Sequence, residues 1–255
     1  YNYDPATRMG VPSGSEQTLG GAYAIWNDMV DQRANGLTEM EIYDRFDDAA
    51  PYYAAALWGK SGEVSFTTAQ QTSENVGEAP GVNAYDKVDS ETDEILSYDF
   101  EDGLSDKSAN EYDAENGKNA EVKDGELVLK GGESYISTPL DKVGPEKELS
   151  FDITLTQPAE PGQILFEAEK DEDHEAYSTH NIRIMEDGTL GFTREGYDYS
   201  FGYKLPVNQK MTLKIRTKNG STVLIADGKE YKATGSFTYE GDVKKTGITS
   251  STLSL

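Results

Sequence analysis

Cysteine is absent from this 255-residue chain, and histidine occurs only twice, as His174 and His180. The first absence excludes disulfides and thiolate metal sites, and the second argues against a multi-histidine zinc site. Cations are scarce as well. Lys and Arg number 23 against 47 Asp and Glu, for a formal net charge of −24. That balance argues against nucleic acid or an anionic membrane surface as partner, because phosphate binding needs concentrated Lys and Arg. It is compatible with neutral carbohydrate, with cations and with secretion. No apolar run is long enough for a membrane span. A charged-then-apolar leader is missing too: the chain opens at Tyr1, and its last residues, "TGITSSTLSL", read as a strand. The expectation is a piece of a longer protein, so the missing leader says nothing about localisation.

What is present is enough for a core. Hydrophobic residues make up 36% and charged residues 27%, and the length permits one large domain or two modest ones. Residues 18–26, "TLGGAYAIW", form a short apolar run bounded by polar clusters. Both sets of alternate positions are apolar or small, which predicts a strand covered on both faces. The run ends in Trp26, Asn27 and Asp28, and a polar stretch follows. A helix is expected next. Thr38 and Glu41 form a capping box, Tyr43, Phe46, Ala50, Tyr53, Ala54 and Leu57 share one face, Pro51 bends it, and Gly59 stops it. In a strand–loop–helix unit of a parallel α/β fold, function sits at the carboxyl end of the strand. Trp26 and Asp28 lie there. By themselves they fit two readings: a core tryptophan with a turn aspartate, or a pocket wall with a hydroxyl acceptor. Trp58 reads as core packing at the helix end.

The stretch "LGGAYAIWNDMVDQRANGLTEMEIYDRFDDAAPYYAAALWGK" resembles the last strand and last helix of the catalytic barrel of glycoside hydrolase family 20, which includes β-N-acetylhexosaminidases and lacto-N-biosidases. Gly20-Gly21, Trp26, Asp28, the helix with Asp44 and Arg45, and Leu57-Trp58-Gly59 carry the likeness, over about the first quarter of the chain. The resemblance implies a (β/α)8 barrel that removes terminal N-acetylhexosamine by a substrate-assisted route, in which the sugar's acetamido oxygen attacks the anomeric carbon. It implies an Asp-Glu pair upstream of Tyr1, so no catalytic residue is expected in this chain. It also implies substrate-binding roles for Trp26, as a wall of the terminal-sugar subsite, and for Asp28, as an acceptor for sugar hydroxyls. Asp28 stands where the family often has Glu, one methylene longer. A pyranose has an apolar face suited to an indole, and a carboxylate can accept two of its hydroxyls. The resemblance favours the pocket reading of both residues.

Residues 61–94 read as a connector rich in Ser, Thr, Glu and Gly. "FTTAQQTSENVG" could hold a short helix, and "VDSETDE" reads as an acidic, solvated hinge. The acidic run lacks the alternation and central Gly of an EF-hand loop, so no metal is assigned there. From Ile95 the pattern changes to short strands, among them "ILSYDF", "ELVLK", "ELSFDITLT", "TLGFTRE", "KMTLKIRT" and "TVLIAD", punctuated by Asp124-Gly125, Asp187-Gly188, Asn219-Gly220 and Asp227-Gly228. This predicts an antiparallel β-sandwich. "LSYDFEDGLSDKSANEYDAEN" and "LPVNQKMTLKIRTKNGSTVLIADGKEY" resemble parts of a laminin-G or concanavalin-like jelly roll, a fold that hosts many activities. Tyr197, Tyr199, Phe201 and Tyr203 alternate on one sheet face, either as a glycan platform or, more in keeping with such folds, as the inner face of the sandwich.

The expected architecture is therefore an α/β barrel end over 1–60, a connector over 61–94, and an all-β jelly-roll sandwich over 95–255. The expected function is that of a piece of a secreted or cell-surface glycosidase acting on glycans with a terminal N-acetylhexosamine, without a cofactor and with an accessory lectin-like domain. A non-catalytic carbohydrate-binding or adhesin segment is the alternative, and the upstream sequence separates the two.

Overall fold

A computed structural model of the chain describes residues 20–26, 42–43, 45–46, 49–58, 65–76, 89–140, 146–167, 181–194, 197–218, 221–239 and 242–245. Antiparallel sheet dominates, with few helices. The chain divides into two compact units. One comprises Tyr1–Ala84, Glu160–Lys204 and Thr234–Thr249; the other comprises Tyr85–Ala159, Leu205–Ala233 and Ser250–Leu255. Both draw on the strand-rich segment after Ile95.

The first unit holds helices α1 (Ala50–Trp58) and α2 (Phe66–Val76). Pro51 lies in the first turn of α1. Its missing N–H would have no partner there in any case, so it opens a helix where the sequence suggested a bend. Residues 42–43 and 45–46 are also helical, and a turn at Ala49 precedes α1. Helix α2 confirms the short helix expected in the connector. Ser65 caps it, its hydroxyl accepting from the Thr68 amide at 3.1 Å. The strand expected over 18–26 is not formed at positions 20–26, which adopt no regular structure. A parallel strand exists only through ladder bonds from its neighbours, and among the described residues no strand pairs with this segment.

The same unit holds a six-stranded sheet in the order β14 (Asp242–Lys245), β13 (Thr234–Tyr239), β9 (Tyr197–Tyr203), β8 (Leu190–Arg194), β7 (Ile182–Ile184), β6 (Ile164–Phe166). Register sets its two faces. Ile182 pairs Phe192, Ile184 pairs Leu190, and Phe192 pairs Tyr199, so these side chains share a face. All five are under 5% exposed. The Phe192 ring stacks on Tyr199 at 5.0 Å and meets Phe201 at 5.8 Å. Tyr199 and Phe201 of β9 thus fill a core, while Tyr197 and Tyr203 are half-buried. The opposite face carries Arg183, Thr193 and Asp198. Arg183 is buried, donating from Nε to the Thr193 hydroxyl at 3.1 Å and from Nη2 to Asp198 at 2.7 Å.

The second unit holds a four-stranded sheet, β12 (Lys229–Lys232), β11 (Ser221–Ala226), β10 (Met211–Lys218), β5 (Glu148–Ile153), with an antiparallel pair β1 (Glu115–Lys118)–β4 (Tyr135–Ser137) and, between those two in sequence, the hairpin β2 (Ala120–Lys123)–β3 (Glu126–Leu129). Met211, Leu213, Ile215 and Thr217 are buried at alternate positions of β10, with Thr222, Leu224 and Ala226 of β11 beside them. The other face of this sheet is an ionic ladder, in which Glu148 accepts from Lys214 at 2.9 Å and from Arg216 at 2.9 and 3.0 Å. Two of the hairpin dipeptides perform as the sequence requires. Asp124-Gly125 and Asp227-Gly228 both have positive φ, at 53° and 73° and at 50° and 71°, joining β2 to β3 and β11 to β12. At Asp187-Gly188 only the glycine does, and Asn219-Gly220 lies outside the described residues.

"ILSYDF" is not a strand, a correction to the sequence reading. Its backbone groups are taken by side chains and by the Lys107 amide, which donates to the Ser97 carbonyl at 2.7 Å. Asp106 accepts from the Ser97 amide at 2.9 Å, and the Ser108 hydroxyl donates to the Ile95 carbonyl at 3.1 Å. Asx and Ser groups offer the backbone an alternative to a ladder, and here they take it.

Candidate functional site

Residues 20–26 reach α1 through their side chains. Tyr23, Ile25, Phe46, Ala50, Tyr53, Ala54, Leu57 and Trp58 line a cleft of about 490 Å³. The Tyr23 and Tyr53 rings stand 5.9 Å apart at 39°. Tyr23 donates its hydroxyl to the Arg45 carbonyl at 3.0 Å, and Arg45 Nη1 lies 3.4 Å from the Trp26 carbonyl. The double glycine that opens the segment acquires a reason at Gly21. A Cβ there would lie 2.2 Å from the Tyr53 hydroxyl oxygen, so this phenol packs directly on the Gly21 backbone.

The site residues expected from sequence are described unevenly. Trp26 is 74% exposed, so it is not a core side chain, and Trp58 is 93% exposed, which corrects its assignment to core packing. Asp28 lies outside the described residues, as do Asn27, Thr38, Glu41 and Asp44, and both histidines. The helix face is present in part: Phe46 and Leu57 are 47% and 44% exposed beside the cleft. Chemically the cleft is aromatic and apolar. Among the described residues its lining offers phenol hydroxyls and no carboxylate, so those residues present an apolar surface for packing.

A second group of polar residues was not anticipated as a unit. Between residues 89 and 114 the side chains of Asp99, Asp106, Asn110 and Asp113 organise backbone. Asp106 accepts from the amides of Ser97, Ser108 and Tyr112 and from the Ser108 hydroxyl. Burial alone would raise its pKa, but those four donors outweigh burial and hold it at about 2. Tyr98, whose hydroxyl donates to the Tyr112 carbonyl, is pushed up to about 12 by burial and by the charges of Asp106 and Asp113. The Asp106-x-Ser108 and Asp99-x-Glu101 spacings were the available signal. Among the described residues no group of three or more His, Cys, Asp or Glu is arranged to hold a metal ion, and no helix is long and apolar enough to cross a membrane. No family model matches the chain, and no curated protein matches it either.

Proposed function

We propose that residues 1–60 are the carboxyl end of a family 20-type catalytic (β/α)8 barrel. In this reading the chain is part of a secreted or cell-surface glycosidase that releases terminal N-acetylhexosamine or lacto-N-biose units by substrate-assisted catalysis. Residues 95–255 form its accessory laminin-G or concanavalin-like sandwich, joined through the connector over 61–94. The observation that carries the reading is the run "GGAYAIWND" followed by the helical pattern to Trp58. It is supported by an exposed indole at Trp26, next in sequence to Ile25 of an aromatic cleft, a surface suited to the apolar face of a pyranose. The antiparallel sheets of the remainder support the sandwich.

In this role Trp26 orients the sugar ring and excludes water, while Asp28 accepts from its hydroxyls. The Asp-Glu pair that orients the acetamido group and protonates the leaving oxygen belongs to a part of the protein outside these residues, so this chain alone is inactive on a chromogenic N-acetylhexosaminide. In the parent enzyme Trp26→Ala lowers kcat/KM by the equivalent of about 2–4 kcal/mol. Asp28→Asn lowers it by about 1–3 kcal/mol, and by much less on a deoxy substrate lacking the contacted hydroxyl. Near-parental kcat/KM for both folded variants on every N-acetylhexosaminide overturns the assignment. Hydrolysis by this chain alone overturns the placement of the acid pair. An upstream sequence without an Asp-Glu pair favours the adhesin reading instead.

A further inference from the structure

The acidic lead-in to the strand-rich segment has the composition of a hinge, yet one side chain holds it. Residues 89–94 are mostly exposed, as an acidic, solvated run should be. Asn110, fifteen to twenty positions further on, uses both ends of its amide on them. Its Oδ1 accepts from the Glu91 amide at 2.9 Å. Its Nδ2 donates to the Ser90 hydroxyl at 2.9 Å and to the carbonyls of Ile95 at 2.9 Å and Glu94 at 3.3 Å. Tyr112 adds a bond from its hydroxyl to the Asp89 carbonyl at 2.7 Å. Within the segment Ser90 donates to the Thr92 carbonyl at 2.6 Å, and Thr92 Oγ1 donates to that of Glu94 at 3.0 Å, giving the run its own turn for the amide to grip.

We propose that Asn110 is a clasp that makes residues 89–95 a fixed part of the strand-rich unit and shields this acidic lead-in from proteolysis. The inference concerns the connector alone and stands whether or not the glycosidase reading does. Asparagine suits the task because it presents a donor and an acceptor at once without charge. Aspartate would still offer an acceptor to Glu91, but its carboxylate would repel the carbonyl oxygens of Glu94 and Ile95 and so open the whole grip, the Glu91 bond included. Because these residues are exposed, slow amide exchange there can come only from hydrogen bonding and not from burial. That makes the clasp measurable.

The test uses the full chain, by hydrogen exchange resolved to the Glu91 amide and by limited digestion with a protease that cuts after glutamate. In the unsubstituted chain the bonds after Glu91 and Glu94 should resist cleavage, and the Glu91 amide should exchange at least about tenfold more slowly than in a free peptide of residues 86–98. Asn110→Ala and Asn110→Asp should both bring exchange and cleavage to within a few-fold of the peptide, with the near-ultraviolet circular dichroism of the sheets retained. If Asn110→Ala unfolds the unit, Tyr112→Phe, which removes only the bond to Asp89, should speed digestion after Glu91 without lowering Tm. Cleavage of the unsubstituted chain at the peptide's rate overturns the proposal. So does protection at Glu91 that survives Asn110→Asp, or a folded Tyr112→Phe variant with unchanged digestion where Asn110→Ala has unfolded.

Discussion

Asp106 shows how much one side chain can organise. Its four donors come from three residues, and each donation favours the carboxylate over the acid. Its pKa, about 2, lies below the ordinary 3.8. The stability it adds is therefore fully present above the ordinary value and is lost as pH falls towards 2. Tyr98 works with the opposite sign. Its neutral hydroxyl is the favoured form, so its contribution is present below the usual tyrosine value of 10 and is lost as pH rises through about 12. Asp106→Asn keeps the shape but offers an N–H where an acceptor is needed. The variant should lose about 1–2 kcal/mol at pH 7, solvent keeping the figure modest. Urea unfolding at pH 7 and at pH 2.5 checks this. The gap between parent and variant should narrow at the lower pH, and a gap that stays constant means the carboxylate is not the group responsible.

At the scale of strands, Gly191 fixes the β8–β9 pairing. A Cβ there would fall 2.3 Å from the Tyr199 carbonyl oxygen and 2.9 Å from Met185 Cγ, next to the register shift between Leu190 and Gly191. Backbone cannot swing aside as a side chain can. Gly191→Ala should cost about 1–3 kcal/mol. Gly117→Ala is the control: its Cβ would strike only the ring of Tyr135, which is 50% exposed and free to turn outward, so its effect should stay within about 0.5 kcal/mol. Thermal unfolding of the two variants tests the contrast, and equal losses would refute it. Strands of this kind were the most legible part of the sequence. The period-two alternation in "KMTLKIRT" and "TVLIAD" marks β10 and β11 because one face is buried, and the two Asp-Gly hairpins follow from their need for positive φ. β1, "ENGK", was not legible, because all four residues are exposed and no apolar alternation exists to read. "ILSYDF" was misread because alternation cannot reveal that side chains nine to fifteen residues away will take backbone bonds. The candidate site was legible only as a local pattern: Trp26 and the helix face could be listed, but the packing of Tyr53 on Gly21 joins residues far apart in sequence, which periodicity does not specify.

For the whole molecule, two opposed features decide behaviour in solution. Charge keeps copies apart: a net −24 at pH 7 vanishes near the pI of 4.3. Apolar exposure draws them together, through Trp58 at 93%, Trp26 at 74% and the half-exposed Phe46 and Leu57. With Asp106 still ionised at pH 4.3, its brace remains intact there, so what associates should be folded protein. Light scattering should therefore be low at pH 7 in dilute buffer, rise to a maximum near pH 4.3, and rise at pH 7 when salt screens the repulsion. Near-ultraviolet circular dichroism should be retained across that maximum. Trp26→Ser with Trp58→Ser removes two large exposed rings that contribute little to any core, so the double variant should fold as the parent does and scatter several-fold less at pH 4.3. An unchanged maximum would place the contact elsewhere on the surface. Loss of the aromatic signal before scattering begins would mean that acid unfolding, not the exposed rings, drives association. The glycosidase reading makes one further demand on the same experiment. In the full-length parent the barrel's other strands and helices would cover Phe46 and Leu57, and Trp26 would line a sugar pocket. The parent's scattering near its own isoelectric point should then be insensitive to Trp26→Ser.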